Sequence, residues 1–166
     1  KISPMKARSI ATTSVVWLAL MASLACGNGD QGRFEQSGYT ECSECNLANA
    51  DLRNLRYVDN VRVDLYWANL SGANLSGANL NIAGLRRADL SGADLSGANL
   101  TRADLSGADL SGANLTRADL AYAYLIGANL TDADLTDADL AGANLKYVIG
   151  ADFTGAKNVP AKYLKN

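Results

Sequence analysis

Leucine recurs at every fifth position from Leu65 to Leu145, seventeen times without interruption. Alanine stands two positions before each of these leucines except the first, where Val63 takes its place. The residue between them is Asp or Asn, apart from Gly84 and Tyr124, and the leucine is most often followed by Ser or Thr and then most often by Gly. The repeat A-[DN]-L-[ST]-G constrains the fold more than any other feature of the chain.

A five-residue period fits neither a regular α-helix nor a flat strand. On an α-helix, successive leucines would lie about 140° apart and would form no apolar stripe. On a flat strand, an odd period would send alternate leucines to opposite faces. A chain that turns a corner once per repeat keeps Ala and Leu on the inside and directs the Asp or Asn between them to water. Glycine fits the corner because it adopts backbone angles that are unfavourable for other residues.

The unbroken A-[DN]-L-x-x run closely resembles the pentapeptide-repeat proteins. The resemblance implies an all-β fold, a right-handed quadrilateral β-helix in which four repeats make one coil. The alternative is low-complexity sequence without structure, which would not keep leucine in phase over seventeen repeats. We therefore predict a regular pentapeptide-repeat β-helix over residues 63–147, in which the stacking of coils supplies the stability that one coil lacks.

The repeat changes phase on both sides of the regular run. A partial repeat that is three residues out of step precedes it, which predicts an N-terminal partial coil with an irregular loop over residues 40–62. The pattern resumes at Ala151 after an insertion. We therefore expect residues 148–166 to form a last partial repeat and a C-terminal cap, with Phe153 or Tyr163 over the leucines.

The N-terminal segment has the features of a secretory signal peptide. Lys6 and Arg8 precede an apolar run of eleven residues, Val15 to Ala25, which is too short to span a bilayer. A basic start, a short apolar core and small residues before a break are typical of such signals. We predict a signal peptide over residues 1–25, with Met5 as a candidate true start, and export of the protein to the bacterial cell envelope.

A polar, glycine-containing segment, residues 26–39, follows and predicts a flexible linker. Its first residue, Cys26, ends a Ser-Leu-Ala-Cys sequence that resembles a bacterial lipoprotein signal, with the first two residues exchanged relative to the preferred order. The resemblance implies lipidation of Cys26 and membrane contact only through that anchor. Cleavage near Ala25 or Gly27 without a lipid is one alternative, and absence of export is another.

The residue types present argue against an enzyme. The chain contains no histidine, which removes the commonest general base and the usual partner of Ser and Cys nucleophiles. No phosphate-binding glycine loop occurs, so we expect no catalytic site and no cofactor. The densest carboxylate cluster contains Asp132, Asp134, Asp137 and Asp139. These aspartates are either solvated surface residues or a weak Ca²⁺ site.

Cys42 and Cys45 form a CxxC motif without a second cysteine pair, which argues against zinc. Counted back from Leu47, Cys45 takes an alanine position and Cys42 a leucine position, so both side chains should point inward. They are either small buried residues that close the first coil or, in an exported protein, a disulfide that pins the N-terminal end. Redox catalysis is a third interpretation.

Large residues gather on one side of the predicted rod when the repeats are sorted by twenties. This side is centred on Leu65, Leu85, Leu105, Leu125 and Leu145, and the corner that leads into it adds further residues. We call the following set the candidate binding face: Tyr66, Trp67, Arg86, Arg87, Arg102, Tyr122, Tyr124, Ile126 and Tyr147, with Ile82 and Lys146 beside them. Aromatic residues together with arginine are typical of interfaces. The alternative is that these residues merely cover the irregular ends of the rod.

Two functions therefore compete. The first is a non-enzymatic exported structural or interaction module that binds a protein or polymer partner in the envelope. The second follows from the resemblance, because some pentapeptide-repeat proteins mimic DNA in the cytosol and act on DNA gyrase. Residues 63–147 carry ten Asp against five basic residues, a net charge of −5. A duplex of the same length, roughly 20 Å, carries about twelve charges, so the sequence favours the first function and no nucleic-acid partner.

Overall fold

The computed structural model describes residues 40–41, 49, 53 and 63–164. Two short strands, β1 (Thr40–Glu41) and β2 (Val63–Asp64), pair in parallel. After β2 the chain consists of isolated parallel bridges joined by turns, and it ends in a 3-10 helix, Ala161–Tyr163. In this part of the chain, no helix has the length and apolar character needed to cross a membrane.

Several of the predictions fall outside the described residues. They are the signal peptide over residues 1–25, the linker over residues 26–39, lipidation at Cys26 and the state of Cys42 and Cys45. These stay predictions.

Each coil of the regular rod contains twenty residues. The bridges join residues twenty positions apart, from Asp64 with Gly84 to Asn129 with Ile149. Four five-residue repeats per coil give four sides, and the chain forms the predicted right-handed quadrilateral β-helix. Bridges between coils are parallel because every coil runs in the same direction around the axis.

The phase shifts at the two ends have opposite signs. Thr40 pairs with Val63, twenty-three positions later, so the first coil contains three additional residues. At the other end Asp139 is bridged to Lys157, only eighteen positions later. The sequence interpretation of an insertion after Leu145 is therefore wrong, because the last coil is two residues shorter. In a five-residue pattern, three extra residues and two missing ones give the same phase.

The backbone of a regular repeat donates four of its five N–H groups to other backbone carbonyls. In residues 88–92, the Asp89 N–H donates to the preceding coil at 2.9 Å, and those of Leu90 and Gly92 donate to the next coil at 2.7 and 2.8 Å. The Ala88 N–H closes the corner by donating to the leucine carbonyl three residues before it, at 3.2 Å. These bonds recur along the rod and hold each coil to both of its neighbours.

The Asp or Asn side chain accepts the fifth N–H. Ser91 donates its backbone N–H to the Oδ1 of Asp89 at 3.0 Å and its hydroxyl to the same oxygen at 2.6 Å. Asn74 and Asn129 accept corresponding bonds from the residues two positions later. Since an unpaired backbone donor is costly, these half-buried side chains do more than face water, which is all that the sequence predicted for them.

Leucine and alanine fill the interior as predicted. All of the leucines from Leu65 to Leu145 are buried, and Leu105 is 0% exposed. The alanines that stand two positions before these leucines are buried beside them. At the C-terminal end, Phe153 and Tyr163 are partly buried against this core, where the sequence predicted that one of them would cover the leucines.

Candidate binding face

The structure brings the large residues of the candidate binding face onto one side and its two flanking corners. One corner carries Trp67, Arg87 and Tyr147, and the other carries Ile82, Arg102 and Tyr122. Tyr124 lies on the side between them, bridged to Asp104 of the preceding coil. The inter-coil hydrogen bonds fix these columns, so the sorting by twenties predicted the arrangement correctly.

Exposed large apolar side chains are concentrated on this side. Seven such residues occur in the described part of the chain, and five of them belong to the candidate binding face. Their exposed fractions run from 36% for Ile126 to 72% for Tyr147. Tyr66 is half-buried. The remaining two, Ile149 and Leu164, follow the regular run.

At several corners the chain carries residues that disfavour the backbone conformation of the turn. The second corner residue has a positive φ, 63° at Gly92 for example, as the third position of a type II turn requires. Glycine adopts this geometry easily, whereas other residues are disfavoured by about 1–2 kcal/mol. Nine corners of residues 63–147 nevertheless carry another residue: Trp67, Ile82, Arg87, Arg102, Arg117, Tyr122, Asp132, Asp137 and Tyr147.

Six of these nine residues lie on the two corners that flank the candidate binding face. They include every aromatic or β-branched residue of the set, Trp67, Ile82, Tyr122 and Tyr147. The other two corners keep glycine at five positions and otherwise carry Arg117 and two aspartates, a residue type that tolerates positive φ better than most. The aromatic and β-branched corner residues therefore occupy strained positions on one side only.

The same side also gives up side-chain acceptors. Gly84 and Tyr124 are the two positions in residues 63–147 where Asp or Asn is replaced, and both lie between the flanking corners. Neither side chain can accept the backbone N–H of the residue two positions later, Arg86 or Ile126. Both of those residues are exposed, so water can accept these bonds. This side thus departs from the repeat in two ways: bulky residues replace glycine at positive-φ corners, and two Asp or Asn acceptors are missing.

Contacts between coils hold several of these side chains in place. The Arg87 guanidinium lies 4.7 Å from the ring centroid of Trp67 on the preceding coil, a cation–π contact worth about 0.5–1 kcal/mol at an exposed site. The Lys146 ammonium lies 4.6 Å from the ring of Tyr147. Arg86 Nε lies 3.8 Å from the Asp104 carboxylate. Arg87 and Lys146 therefore lie at the surface beside aromatic rings, and Arg86 lies beside a carboxylate.

Tyr122 lies directly over a glycine of the next coil. A Cβ atom added to Gly142 would stand 2.7 Å from both Cδ1 and Cε1 of the Tyr122 ring, closer than side-chain atoms approach one another. Gly142 is thus needed twice, for its φ of 66° and for the space that the ring occupies. The sequence marked Gly142 only as an ordinary corner glycine, because ring placement leaves no signal in the repeat pattern.

Charge separates this side from the rest of the rod. Four cations, Arg86, Arg87, Arg102 and Lys146, lie here with two carboxylates, Asp64 and Asp104, a net charge of +2. The remaining residues of 63–147 carry eight aspartates and one arginine, a net charge of −7. A rod that is acidic on the whole therefore presents one basic, aromatic side.

The aspartate cluster near the C-terminus makes separate contacts. Asp137 forms an ion pair with Lys157, 2.9 Å from Oδ1 to Nζ, and this contact lowers the pKa of Asp137. Asp139 accepts a 2.9 Å bond from the Asn158 amide, which lowers its pKa in the same direction. In the described residues, no group of three or more His, Cys, Asp or Glu is arranged to hold a metal ion. These aspartates connect the last regular coil to the segment that covers it.

A family model of pentapeptide repeats (8 copies) matches residues 61–97, 83–121 and 113–157. The chain belongs to the pentapeptide-repeat family. A comparison with curated proteins gives no match.

Solved structures of family members are similar to the chain. HetL, a pentapeptide repeat protein involved in heterocyst differentiation regulation from the cyanobacterium Nostoc, is 45% identical over 64% of this chain and 45% of HetL, with a TM-score of 0.46. Rfr23, a pentapeptide repeat protein from the cyanobacterium Cyanothece, is 33% identical over 72% of this chain and 89% of Rfr23, with a TM-score of 0.50.

QnrB1, a plasmid-mediated fluoroquinolone resistance protein, is 23% identical over 66% of this chain and 55% of QnrB1, with a TM-score of 0.52. This likeness concerns the fold alone. The chain spans about half the length of HetL and of QnrB1.

Proposed function

We propose that this pentapeptide-repeat protein is a non-enzymatic interaction module of the bacterial envelope and that the candidate binding face is its partner-binding surface. One observation carries the proposal: exposed aromatic residues, Trp67, Tyr122 and Tyr147, occupy positive-φ corner positions on that side, where glycine would be more stable. Backbone strain that the fold itself does not need is a mark of functional positions. Tyr122 and Trp67 illustrate it, with φ values of 59° each.

The alternative role of these residues, covering the irregular ends of the rod, explains less. Trp67 lies near the N-terminal end and Tyr147 near the C-terminal end, but Arg102, Tyr122 and Tyr124 lie in the middle coils. These central residues are exposed, so they cover no open end of the core. A binding role accounts for the central and terminal residues together.

The residue types of the chain support a role in binding rather than in catalysis. The chain has no histidine, and aspartates of the repeats such as Asp89 and Asp104 accept hydrogen bonds from the backbone of their own repeats. Binding energy at interfaces is concentrated in a few Trp, Tyr and Arg residues. The candidate binding face contains all three types.

The proposed site of action depends on the N-terminal sequence. Export with lipidation at Cys26 is supported by Lys6 and Arg8, by the apolar run that ends at Ala25 and by the cysteine that follows. Cys26→Ser should shift the protein from the membrane fraction to the soluble fraction and remove the mass of the lipid. Unchanged membrane association and unchanged mature mass would exclude the lipid.

Export also bears on Cys42 and Cys45. In an oxidising compartment we expect these two thiols to form the disulfide that pins the first coil. Alkylation of the purified protein before and after reduction, followed by mass measurement, tests this. Modification without prior reduction would favour two free thiols.

The DNA-mimic function receives less support. It requires a cytosolic protein with dense negative charge, and the rod combines a net charge of −5 over residues 63–147 with a basic side. The likeness to QnrB1 does not extend beyond the fold, at 23% identity. Recovery of the protein from the cytosol together with inhibition of DNA gyrase would reverse this preference.

Capture of a partner tests the proposed surface. The mature protein and the triple variant Trp67→Ala, Arg87→Ala, Tyr124→Ala are cross-linked in envelope extracts, and the captured material is identified by mass spectrometry. The wild type should enrich a specific partner that the triple variant loses. The control variant Ser91→Ala, Ser96→Ala changes another part of the rod and should keep the partner. Equal loss in both variants, or no specific partner, would refute the surface.

A further inference from the structure

We infer that the candidate binding face takes a short, extended, acidic peptide segment in which an apolar residue is flanked by acidic residues. This inference rests on the proposed function and specifies its partner. Three features carry it: the size of the surface, the distribution of its charge, and an apolar row in its middle. Cations lie on the coil before this row and on the coil after it.

The surface is too small for a folded partner. Five stacked rows with four spacings of about 4.8 Å span roughly 20 Å along the rod, and five residues at about 3.3 Å make one side with its corners roughly 15 Å wide. The projected area, about 300 Å², is small beside the ~800 Å² of accessible surface that each partner buries in a standard interface. About six or seven extended residues have the same length. An extended segment therefore fits this surface better than a second folded domain or a second copy of the rod.

Charge selects an acidic segment and directs it to this side. The four cations of the surface outnumber its carboxylates by two, whereas the other sides of residues 63–147 together carry a net charge of −7. An acidic peptide is attracted to the candidate binding face and repelled by the remaining three sides. Repulsion from the wrong surface adds to specificity as much as attraction to the right one.

An apolar row crosses the surface within one coil. Tyr122, Tyr124 and Ile126 are all exposed and alternate with buried residues of the core. The column of Tyr122 has Arg102 on the preceding coil, and the column of Ile126 has Lys146 on the next. A peptide that crosses the row obliquely, from the column of Arg102 to the column of Lys146, would place an apolar side chain on this row and an acidic residue near each cation.

Gly142 positions the Tyr122 ring before the peptide binds. One edge of the ring, Cδ1 and Cε1, lies against this glycine, which has no side chain to displace it. A fixed anchor loses little conformational freedom on binding, and this raises affinity. Gly142 therefore acts through Tyr122 and is a positioning residue, without contact to the peptide itself.

Selection from a random twelve-residue peptide display library tests the inference. The full mature protein is the target, and the variant Arg87→Ala, Tyr122→Ser, Tyr124→Ala serves for counter-selection. We expect the enriched peptides to be acidic, with an aromatic or aliphatic residue between acidic ones, and to lose affinity as salt concentration rises. Enrichment of neutral or basic peptides, or equal binding to the variant, would overturn the inference.

Two glycine variants test the role of Gly142. Gly142→Ala and Gly92→Ala introduce a side chain at nearly equal φ, 66° and 63°, but nothing lies within 4 Å of a Cβ at Gly92. Both should lose stability because of the positive φ, and Gly142→Ala should lose more because the Tyr122 ring must also move. Only Gly142→Ala should weaken peptide binding, by about tenfold, as measured by fluorescence anisotropy. Equal affinities in two folded variants would contradict the positioning role.

An anionic polysaccharide is the competing ligand, and polygalacturonate is its probe. If polygalacturonate binds through Arg87 and Tyr124 while no peptide is enriched, the peptide inference fails and the proposed surface survives. If the triple variant of the capture experiment also retains its partner, the proposed function fails as well.

Discussion

At the scale of single residues, the Asp or Asn of each repeat stabilises the corner that follows it. Asp89 accepts both the backbone N–H and the hydroxyl of Ser91. Asp89→Ala should lower the free energy of unfolding by about 1–2 kcal/mol, because a partly buried backbone donor loses its acceptor. Asp89→Asn keeps the oxygen and should change little. Urea denaturation measures both variants, and equal stabilities would contradict this role of the side chain.

Relief of backbone strain at a corner of the candidate binding face should raise the stability of the protein and weaken peptide binding. Arg102 has a φ of 58° on the candidate binding face. Arg102→Gly should raise the free energy of unfolding by about 0.5–1 kcal/mol as the strain is relieved, while binding of the selected acidic peptide weakens. Thermal unfolding and anisotropy measure the two effects. Arg117→Gly, at a φ of 57° on another corner, should raise stability without changing binding.

The sequence predicted much at this scale, and its failures have physical causes. Leucine phase alone placed Trp67 and Tyr124 correctly, because inter-coil bonds keep strict columns. The acceptor role of Asp89 was missed since an outward side chain looks the same whether it meets water or a neighbouring N–H. The fit between Tyr122 and Gly142 was also missed, as it depends on a ring orientation that no spacing records.

At the scale of the element, one coil depends on the leucines that it buries. Leu105 is 0% exposed and lies in the middle of the rod. Leu105→Ala should cost about 2–5 kcal/mol, and Leu105→Asp should unfold the stack because it buries an unpaired charge. Circular dichroism and urea denaturation check both. A Leu105→Asp variant with unchanged melting would contradict this register of the repeat.

The last coil and its cap should respond to acid first. Asp137 pairs with Lys157 and Asp139 accepts a bond from Asn158, and both contacts lower the carboxyl pKa in the folded protein. Their stabilisation is therefore present above the unfolded pKa of about 3.9 and is lost as pH falls through the lower folded pKa. As the pH falls below about 3.9, amide exchange in residues 151–164 should accelerate before the central coils open. Lys157→Met should weaken that acid dependence, and an unchanged profile would contradict it.

At the scale of the whole molecule, the twenty-residue coil decides which residues share a side. Residues 103–117 repeat residues 88–102 letter for letter, so either copy can be removed without disturbing the five-residue phase. A fifteen-residue change, however, shifts every later residue by three of the four sides. Length and register can thus be altered separately in this chain.

The most direct test compares two deletions in the mature protein, each first shown to be folded by circular dichroism. Removal of residues 88–107 takes out one whole coil and leaves Tyr124, Ile126 and Tyr147 on the side that carries Trp67. Removal of residues 103–117 moves those three residues to other sides. The partner captured by the wild type should be retained by the first deletion and lost by the second. Loss from both deletions, or retention by both, would contradict a binding surface built by the alignment of coils.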